Sequence, residues 1–235
     1  MIVKAVFFDV DFTLIYPGPT FRGEGYRQFC ARHGMSVDPS EFDEAVVDAS
    51  FVLDEAQDHI YDPAIFLRYT RHIIERMGGS GPGLDACARE IYDEWAACQH
   101  FSLYEDVEPT LTELAGRGLR LGLISNTHRS LTSFQSHFEL ERLISGAISS
   151  SEHGFMKPHP SIFEAGLKLL DVAAGEAMMV GDSLKQDIEG ARRAGMHAVL
   201  VNRSSELPDR PEIDGVPVIR TLTDLPALLS QSLKA

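Results

Sequence analysis

The sequence predicts an α/β fold in which a parallel sheet carries helices on both faces and a helical domain is inserted after the first strand. Three observations lead to this prediction. Short apolar runs rich in β-branched and aromatic residues alternate with segments of helical periodicity over most of the chain. Polar or acidic residues directly follow several of these runs. Residues 17–101, in contrast, show only helical spacing.

The strands and helices outside the insertion alternate in order. Strands are expected at 2–8, 119–124, about 146–149, 177–180, 196–201 and 216–219. Helical patterns fall at about 107–117, 128–137, 160–170, 184–194 and 222–233. Short links between alternating strands and helices predict a parallel sheet, and functional groups then gather at the carboxyl ends of its strands.

The insertion is expected to hold four or so helices. Apolar residues recur at helical spacing near 21–33, 40–58, 63–77 and 84–99. Gly34, Asp38-Pro39, Asp62-Pro63 and the glycine-rich stretch 78–83 separate these segments, as turns do.

Two carboxylates, Asp9 and Asp11, come immediately after the first strand. Because side chains alternate along an extended backbone, both are expected on one side, with Val10 pointing away. Two like charges this close repel each other unless a cation lies between them or one of them holds a proton. A divalent metal and an acid/base pair satisfy both conditions, so the pair indicates the start of a phosphoryl-transfer site.

Small polar residues follow the strand at 119–124. Ser125 and Asn126 come directly after it, and Ser125 suits a helix N-cap, beside which backbone N–H groups could hold a phosphate oxygen. An ordinary helix cap is the alternative interpretation. Arg129, slightly further along, is a candidate to meet substrate, against the alternative of a solvated helix residue.

A lysine and two further carboxylates complete the pattern. Lys157 is one of five lysines and the only one between residues 5 and 167, and its charge could hold phosphate and offset the carboxylates. Asp182 follows the strand at 177–180, and Asp187 lies about one helical turn beyond it, so it can face back toward the site. Two carboxylates at a sheet edge suit the oxygen ligation of Mg²⁺.

Composition narrows the class of function. The 235 residues are 44% hydrophobic and carry a formal net charge of −14, so the chain can bury a sizeable core. The acidic balance argues against nucleic acid and against an anionic membrane surface as partners. No signal peptide or membrane-spanning run is recognised, and the three cysteines lack C-x-x-C spacing, which together predict a cytoplasmic protein.

The four motifs together are more specific than any one of them. Strand–D-x-D-x-T, strand–S-N, K-P and strand–G-D-x-x-x-x-D, in this order between residues 9 and 187, resemble the phosphatases of the haloacid dehalogenase-like hydrolase superfamily. The resemblance implies a Rossmann-like catalytic core formed by residues 1–16 and 102–235. It also implies that residues 17–101 are a C1-type cap that shapes the pocket for the leaving group, with hinges near 16–19 and 103–104.

The resemblance further implies a Mg²⁺-dependent phosphohydrolase that acts on a small phosphorylated metabolite. Asp9 would attack phosphorus and form an aspartyl-phosphate, and Asp11 would serve as general acid and base. The Asp9 carboxylate, the Asp11 backbone carbonyl and the Asp182 carboxylate would hold Mg²⁺. Asp187 would orient these ligands or bind the metal through water.

The remaining predicted site residues concern the substrate. Lys157 would neutralise charge on the phosphate oxygens, and Ser125 and Asn126 would bind the phosphate group. Thr13 is predicted to hold Asp11 in place. Several polar or aromatic residues of the insertion and its link are candidates to contact the leaving group: Tyr16, Arg22, Tyr26, Tyr61, Arg68 and Trp95.

Some other activities share parts of this pattern. Phosphoglucomutase-like relatives share all four motifs, so phosphoryl transfer to a sugar stays open. The 2-haloacid dehalogenases lack a carboxylate at the position of Asp11, and phosphonatases need a cap lysine that the insertion does not have. Signalling receiver domains are shorter, and a catalytically silent binding protein would usually have lost a nucleophile or metal ligand.

A monomer and a homodimer both suit the sequence.

Overall fold

The structure, a computed structural model, describes residues 2–54, 57–203 and 212–232. The chain divides into two compact units, one formed by Met1–Tyr16 with Leu103–Ala235 and the other by Pro17–Ser102. Nine strands are described: β1 (Ala5–Phe8), β2 (Ile15–Pro17), β3 (Phe101–Leu103), β4 (Arg120–Ser125), β5 (Ile144–Ser149), β6 (Ala177–Gly181), β7 (His197–Val201), β8 (Glu212–Ile213) and β9 (Val216–Ile219).

A seven-stranded sheet organises the first unit. Its strand order is β5-β4-β1-β6-β7-β9-β8. Every neighbouring pair is parallel except β8 and β9. From β1 the chain continues to β4 and β5 on one side and to β6, β7 and β9 on the other, which is the arrangement that opens a crevice at the strand ends. The predicted α/β fold with a parallel, Rossmann-like sheet is confirmed.

Strand β1 is central because both of its faces are covered. All four of its residues are buried, as expected for a parallel strand with helices on each side of the sheet. Phe7 belongs to a core cluster with Phe163 and Met179. Phe8 points to the opposite face and is also fully buried. The strand that leads to Asp9 is therefore held rigidly on both sides.

The helices of the first unit are α5 (Val107–Gly116), α6 (Leu131–His137), α7 (Ser150–His153), α8 (Pro160–Leu169), α9 (Gly190–Arg193) and α10 (Leu225–Ser232). The sequence did not predict α7, and two other helices differ from expectation. The helix predicted from 128 starts later, because Ser130 is its N-cap and accepts a hydrogen bond from the Ser133 N–H. The helix predicted at 184–194 is π-helical over Leu184–Glu189 before it becomes α9.

The second unit contains α1 (Gly23–Arg32), α2 (Phe42–Asp54), α3 (Pro63–Arg76) and α4 (Leu84–Trp95). Helix α3 packs against both α2 and α4. Its start is fixed by Asp62, which accepts a hydrogen bond from the Ala64 N–H, and by Pro63 in the first turn. Strands β2 and β3, which the sequence did not predict, pair with each other where the chain passes between the units.

In the described part of the chain, no helix combines the length and the apolar composition needed to cross a lipid bilayer.

A polar network joins three segments of the first unit around Asp106. Its carboxylate accepts hydrogen bonds from Nη1 and Nη2 of Arg203, both at 3.0 Å, from the Thr221 hydroxyl at 2.7 Å and from the Leu222 N–H at 2.8 Å. The Arg203 guanidinium also lies 3.7 Å from the ring centroid of Tyr104. Burial opposes the charge of Asp106, but these donors prevail and hold its pKa below the usual value.

Replacing Asp106 by asparagine should lower stability in a pH-dependent way. A depressed pKa contributes stability above the unfolded-state pKa, and this contribution is lost as pH falls through the folded-state pKa. We expect Asp106→Asn to cost about 1–2 kcal/mol at pH 7, the range for hydrogen bonds to a charged group that Asn partly keeps. Urea unfolding should show the difference from wild type shrinking below about pH 4. A difference that does not change with pH would contradict this account.

Candidate active site

The predicted site residues of the core meet at one edge of the sheet. Asp9 follows β1, Ser125 ends β4 and Asp182 follows β6. Strand β1 lies between β4 and β6 and runs parallel to both, so the three positions share the carboxyl edge. The Asp9 N–H donates to the Val180 carbonyl at 2.9 Å, which continues the pairing of β1 with β6.

Lys157 lies in the middle of this edge. Its Nζ donates to Asp9 Oδ1 and to Asp187 Oδ1, both at 2.6 Å, and its side chain is 1% exposed. Burial opposes the positive charge, but the carboxylates of Asp187 and Asp9 outweigh it and raise the pKa of Lys157. Lys157 is thus a buried cation between two carboxylates.

Asp187 is fixed by the π-helical turn after β6. Its second oxygen, Oδ2, accepts a hydrogen bond from the Ser183 N–H at 3.0 Å, and the residue is 1% exposed. Gly181 lets this carboxylate approach the strand end, because a Cβ at position 181 would lie 2.3 Å from the Asp187 Cγ. Asp187 is therefore a buried residue that faces the strand end rather than solvent.

Three carboxylates form a compact acidic group. Oxygen atoms of Asp9, Asp182 and Asp187 all lie within 4.8 Å of one another. Burial, and then the charges of Asp187 and Asp11 opposed by that of Lys157, raise the pKa of Asp9 to about 7. Desolvation, reinforced by the charges of Asp9 and Asp187, raises the pKa of Asp182 to about 8. Negative charge is therefore unfavourably concentrated here, as at a site that receives a cation.

Ser125 and Asn126 lie at the same edge, but their local structure differs from expectation. Ser125 is the buried last residue of β4 rather than an N-cap. The prediction of a cap at Ser125 was wrong because several non-helical residues separate it from α6. The Asn126 side chain clamps the backbone of Lys157: its Oδ1 accepts from the Lys157 N–H at 2.7 Å, and its Nδ2 donates to the Lys157 carbonyl at 3.0 Å.

Asp11 turns its carboxylate toward Arg129. The Arg129 Nη1 donates to Asp11 Oδ1 at 3.0 Å and to Oδ2 at 3.2 Å. Arg129 is 1% exposed and lies outside any helix, so the solvated helix residue considered for it is wrong. No spacing rule indicates this contact, which joins the loops after β1 and β4. A single arginine near the start of a predicted helix gives no indication of such a contact.

The residues after Asp11 form a tight turn. Phe12 has a φ of 63°, a strained conformation for a bulky side chain, and its N–H donates to the Ile15 carbonyl at 2.7 Å. Thr13 is fully buried, and among the described residues its hydroxyl has no hydrogen-bond partner, so the predicted hold on Asp11 is not formed by this group. The Thr13 carbonyl accepts from Arg203 Nη2 at 2.8 Å, a contact that the sequence did not predict.

Comparison with known proteins places the chain in a family. A family model described as "haloacid dehalogenase-like hydrolase" matches residues 3–195. N-acylneuraminate-9-phosphatase of Rattus norvegicus is 33% identical over 240 residues, which cover 97% of this chain and 94% of the rat protein. Glyceraldehyde 3-phosphate phosphatase of Methanopyrus kandleri is 31% identical over 221 residues, which cover 90% and 89% of the two chains.

A solved structure of a phosphatase is also similar to this chain. The HAD phosphatase of Thermococcus onnurineus is 27% identical and superposes with a TM-score of 0.65 over 97% of this chain and 98% of its own. The match spans both compact units, and the family model covers all four motifs. The chain therefore belongs to the haloacid dehalogenase-like hydrolase family, as one of its phosphatases.

Proposed function

We propose that the chain is a Mg²⁺-dependent phosphohydrolase that cleaves a small phosphorylated metabolite through an aspartyl-phosphate on Asp9. One observation carries the proposal: Asp9 lies at the carboxyl edge of the sheet, in contact with the buried Lys157 cation and with oxygens of two further carboxylates within 4.8 Å. A nucleophile, a phosphate-binding cation and an acidic group are the parts that phosphoryl transfer needs, because its catalysis is mainly positioning and charge stabilisation.

The residues fit a divalent metal. Hard cations prefer oxygen ligands, and the acidic group offers several within a few ångströms. Burial, reinforced by the neighbouring carboxylates, raises the pKa values of Asp9 and Asp182, so a bound cation would favour their charged forms. We assign the ligands to the Asp9 carboxylate, the Asp11 backbone carbonyl and the Asp182 carboxylate, with Asp187 orienting them. Bound Mg²⁺ would supply neutralisation of charge on the phosphoryl oxygens.

The chain's own residues divide the reaction into two steps. In the first, a carboxylate oxygen of Asp9 bonds to phosphorus while the bond to the leaving oxygen breaks, and Asp11 gives that oxygen a proton. In the second, the water oxygen bonds to phosphorus while Asp11 takes a proton from it, and the bond between the Asp9 oxygen and phosphorus breaks to release phosphate and the free carboxylate. Lys157 and Ser125 hold the phosphoryl oxygens in both steps, while Asn126 keeps the Lys157 backbone in place.

The alternatives make different predictions for the same site. A phosphoglucomutase-like enzyme would return the phosphoryl group to a sugar instead of releasing it to water. A dehalogenase would use Asp9 on carbon and would not need Asp11. A silent binding protein would bind a phosphorylated compound without turnover. The hydrogen bond from Arg129 to the Asp11 carboxylate favours a hydrolase that uses Asp11 as acid and base over a dehalogenase or a silent binding protein.

The helical unit is assigned the role of a C1-type cap that selects the leaving group. This assignment rests on where it is inserted in the chain, between the first and second motifs. We also propose a cytoplasmic protein, which is supported by three buried cysteines that are thiols. A monomer and a homodimer are both compatible with the proposed function.

Release of inorganic phosphate tests the function. The purified chain is offered p-nitrophenyl phosphate and a panel of metabolites that includes N-acylneuraminate 9-phosphate and glyceraldehyde 3-phosphate, in Mg²⁺ and in EDTA. We expect release that needs the metal and returns when Mg²⁺ is restored. Phosphate transfer to a sugar without net release would identify a mutase. Equal release in EDTA would contradict the metal assignment.

Asp11→Asn should slow turnover strongly without preventing metal binding. The amide can neither donate the proton to the leaving oxygen nor take one from water, so we expect kcat to fall by roughly 10²–10⁴-fold. The Asp11 backbone carbonyl remains, so the Mg²⁺ concentration for half-maximal activity should change little. Steady-state rates over a Mg²⁺ titration measure both quantities. Full activity in this variant would exclude Asp11 as the acid and base.

A further inference from the structure

We propose that Arg129 is the residue that positions the Asp11 carboxylate for proton transfer, an inference that rests on the proposed function. Nη1 of Arg129 donates to both Asp11 oxygens, at 3.0 and 3.2 Å. The Arg129 side chain has no exposed surface, whereas that of Asp11 is 18% exposed. The arginine therefore lies on the protein side of the carboxylate, and the accessible remainder of Asp11 is left for the reacting groups.

The backbone around Arg129 is fixed independently of Asp11. Its N–H donates to the Thr127 hydroxyl at 3.0 Å, which closes a tight turn in the loop between β4 and α6. The Thr127 carbonyl in turn accepts from the Ser151 N–H at 3.3 Å, which ties this loop to α7. Arg129 thus extends from a loop that is already held by its contact with α7.

The backbone of Asp11 does not fix the orientation of its carboxylate plane. Its main chain is bridged to Ile15, and the turn is closed by the Phe12 N–H. The terminal torsion of an aspartate is broad, so a rigid backbone does not by itself fix the plane of the carboxylate. A donor shared by both oxygens does fix it. Proton transfer needs the carboxylate within hydrogen-bond reach of the leaving oxygen, and small errors in placement slow reactions strongly.

A contribution to stability does not by itself explain why Arg129 and Asp11 form a buried ion pair. Buried ion pairs are often no more stabilising than apolar side chains of similar volume, because both charges lose their hydration. Arg129 is nevertheless among the largest fully buried side chains of the described chain. Its contact is made to the one carboxylate of the site to which the proposed reaction gives a proton-transfer role.

A double-mutant cycle tests the proposal. The rates of wild type, Arg129→Met, Asp11→Asn and the double variant are measured with p-nitrophenyl phosphate and Mg²⁺. We expect Arg129→Met alone to lower kcat by roughly 10–100-fold, with KM changed less than about 3-fold. In the Asp11→Asn background the same change should alter kcat by less than about 3-fold, because the group to be positioned has already lost its function. Arg129→Lys should recover part of the lost rate.

The controls separate positioning from folding. Arg117→Met removes another arginine with contacts to side-chain and backbone oxygens, to Glu113 and to the Pro226 carbonyl, and should keep the wild-type kcat. Thermal unfolding verifies that each variant is folded, and Arg129→Lys replaces Arg129→Met in the cycle if the latter does not fold. Losses that multiply in the double variant, or a rise in KM with kcat unchanged, would overturn the inference. An inactive wild type would overturn the proposed function, and this inference with it.

Discussion

Asp9→Asn is expected to reduce phosphate release to the rate without enzyme, the largest loss of any single substitution in the chain. The amide is close in shape to the carboxylate but cannot attack phosphorus, so no aspartyl-phosphate forms. The stability of the folded protein should not decrease. The pKa of Asp9 is raised to about 7 by burial first and then by neighbouring carboxylates, so its charge is unfavourable in the metal-free protein. The melting temperature of the variant in EDTA should equal or exceed that of wild type.

Both the rate of phosphate release and the melting temperature are measured for Asp9→Asn. Asp224→Asn, which changes an exposed aspartate of the same unit, is the matched control and should keep both values. An Asp9→Asn protein that is folded and inactive agrees with the nucleophile assignment. Turnover close to wild type would exclude Asp9 as the nucleophile.

Lys157→Met is expected to damage both activity and stability. The substitution removes the cation that lies 2.6 Å from the carboxylates of Asp9 and Asp187. Breaking a buried charge pair leaves the partners uncompensated and typically costs about 3–5 kcal/mol. Loss of a preorganised charge on the phosphoryl group should in addition lower kcat by roughly 10²–10³-fold. Methionine keeps most of the side-chain volume, so packing is changed little.

The stability effect should depend on the metal. Urea unfolding in EDTA measures the full cost of removing the lysine, and Mg²⁺ should restore part of the lost stability because it offsets the same carboxylates. Lys168→Met, at an exposed position of α8, is the control and should behave as wild type in both conditions. A Lys157→Met protein with unchanged stability and rate would show that the contacts of Lys157 are not needed.

The strands and the edge at which the site forms could be predicted from the sequence for a clear physical reason. A buried parallel strand such as β1 reads as a continuous apolar run, and the residue after it must lie at the carboxyl edge. This places Asp9 and Asp182 without knowledge of any contact. Lys157 was singled out because lysine is rare in this chain, and Asp187 because its spacing from Asp182 is about one helical turn.

Contacts between distant loops could not be predicted in the same way. Arg129 and Asp11 meet because β1 and β4 are neighbours, and nothing in either segment encodes the direction in which an arginine points. Asn126 was predicted to bind phosphate, yet its amide is committed to the Lys157 backbone. Strands β2 and β3 have three residues each, too few for a periodic pattern to be recognised.

In the proposed reaction Asp9 carries the phosphoryl group, and trapping the group on this residue tests that step. Asp11→Asn is mixed with p-nitrophenyl phosphate and Mg²⁺, quenched in acid and digested for mass spectrometry. p-Nitrophenolate leaves without much help from an acid, whereas activation of water needs Asp11, so the intermediate should accumulate. We expect a hydroxylamine-sensitive phosphoryl group on the peptide that contains Asp9. A phosphoryl group on another residue, or its absence in a protein that still releases phosphate, would contradict it.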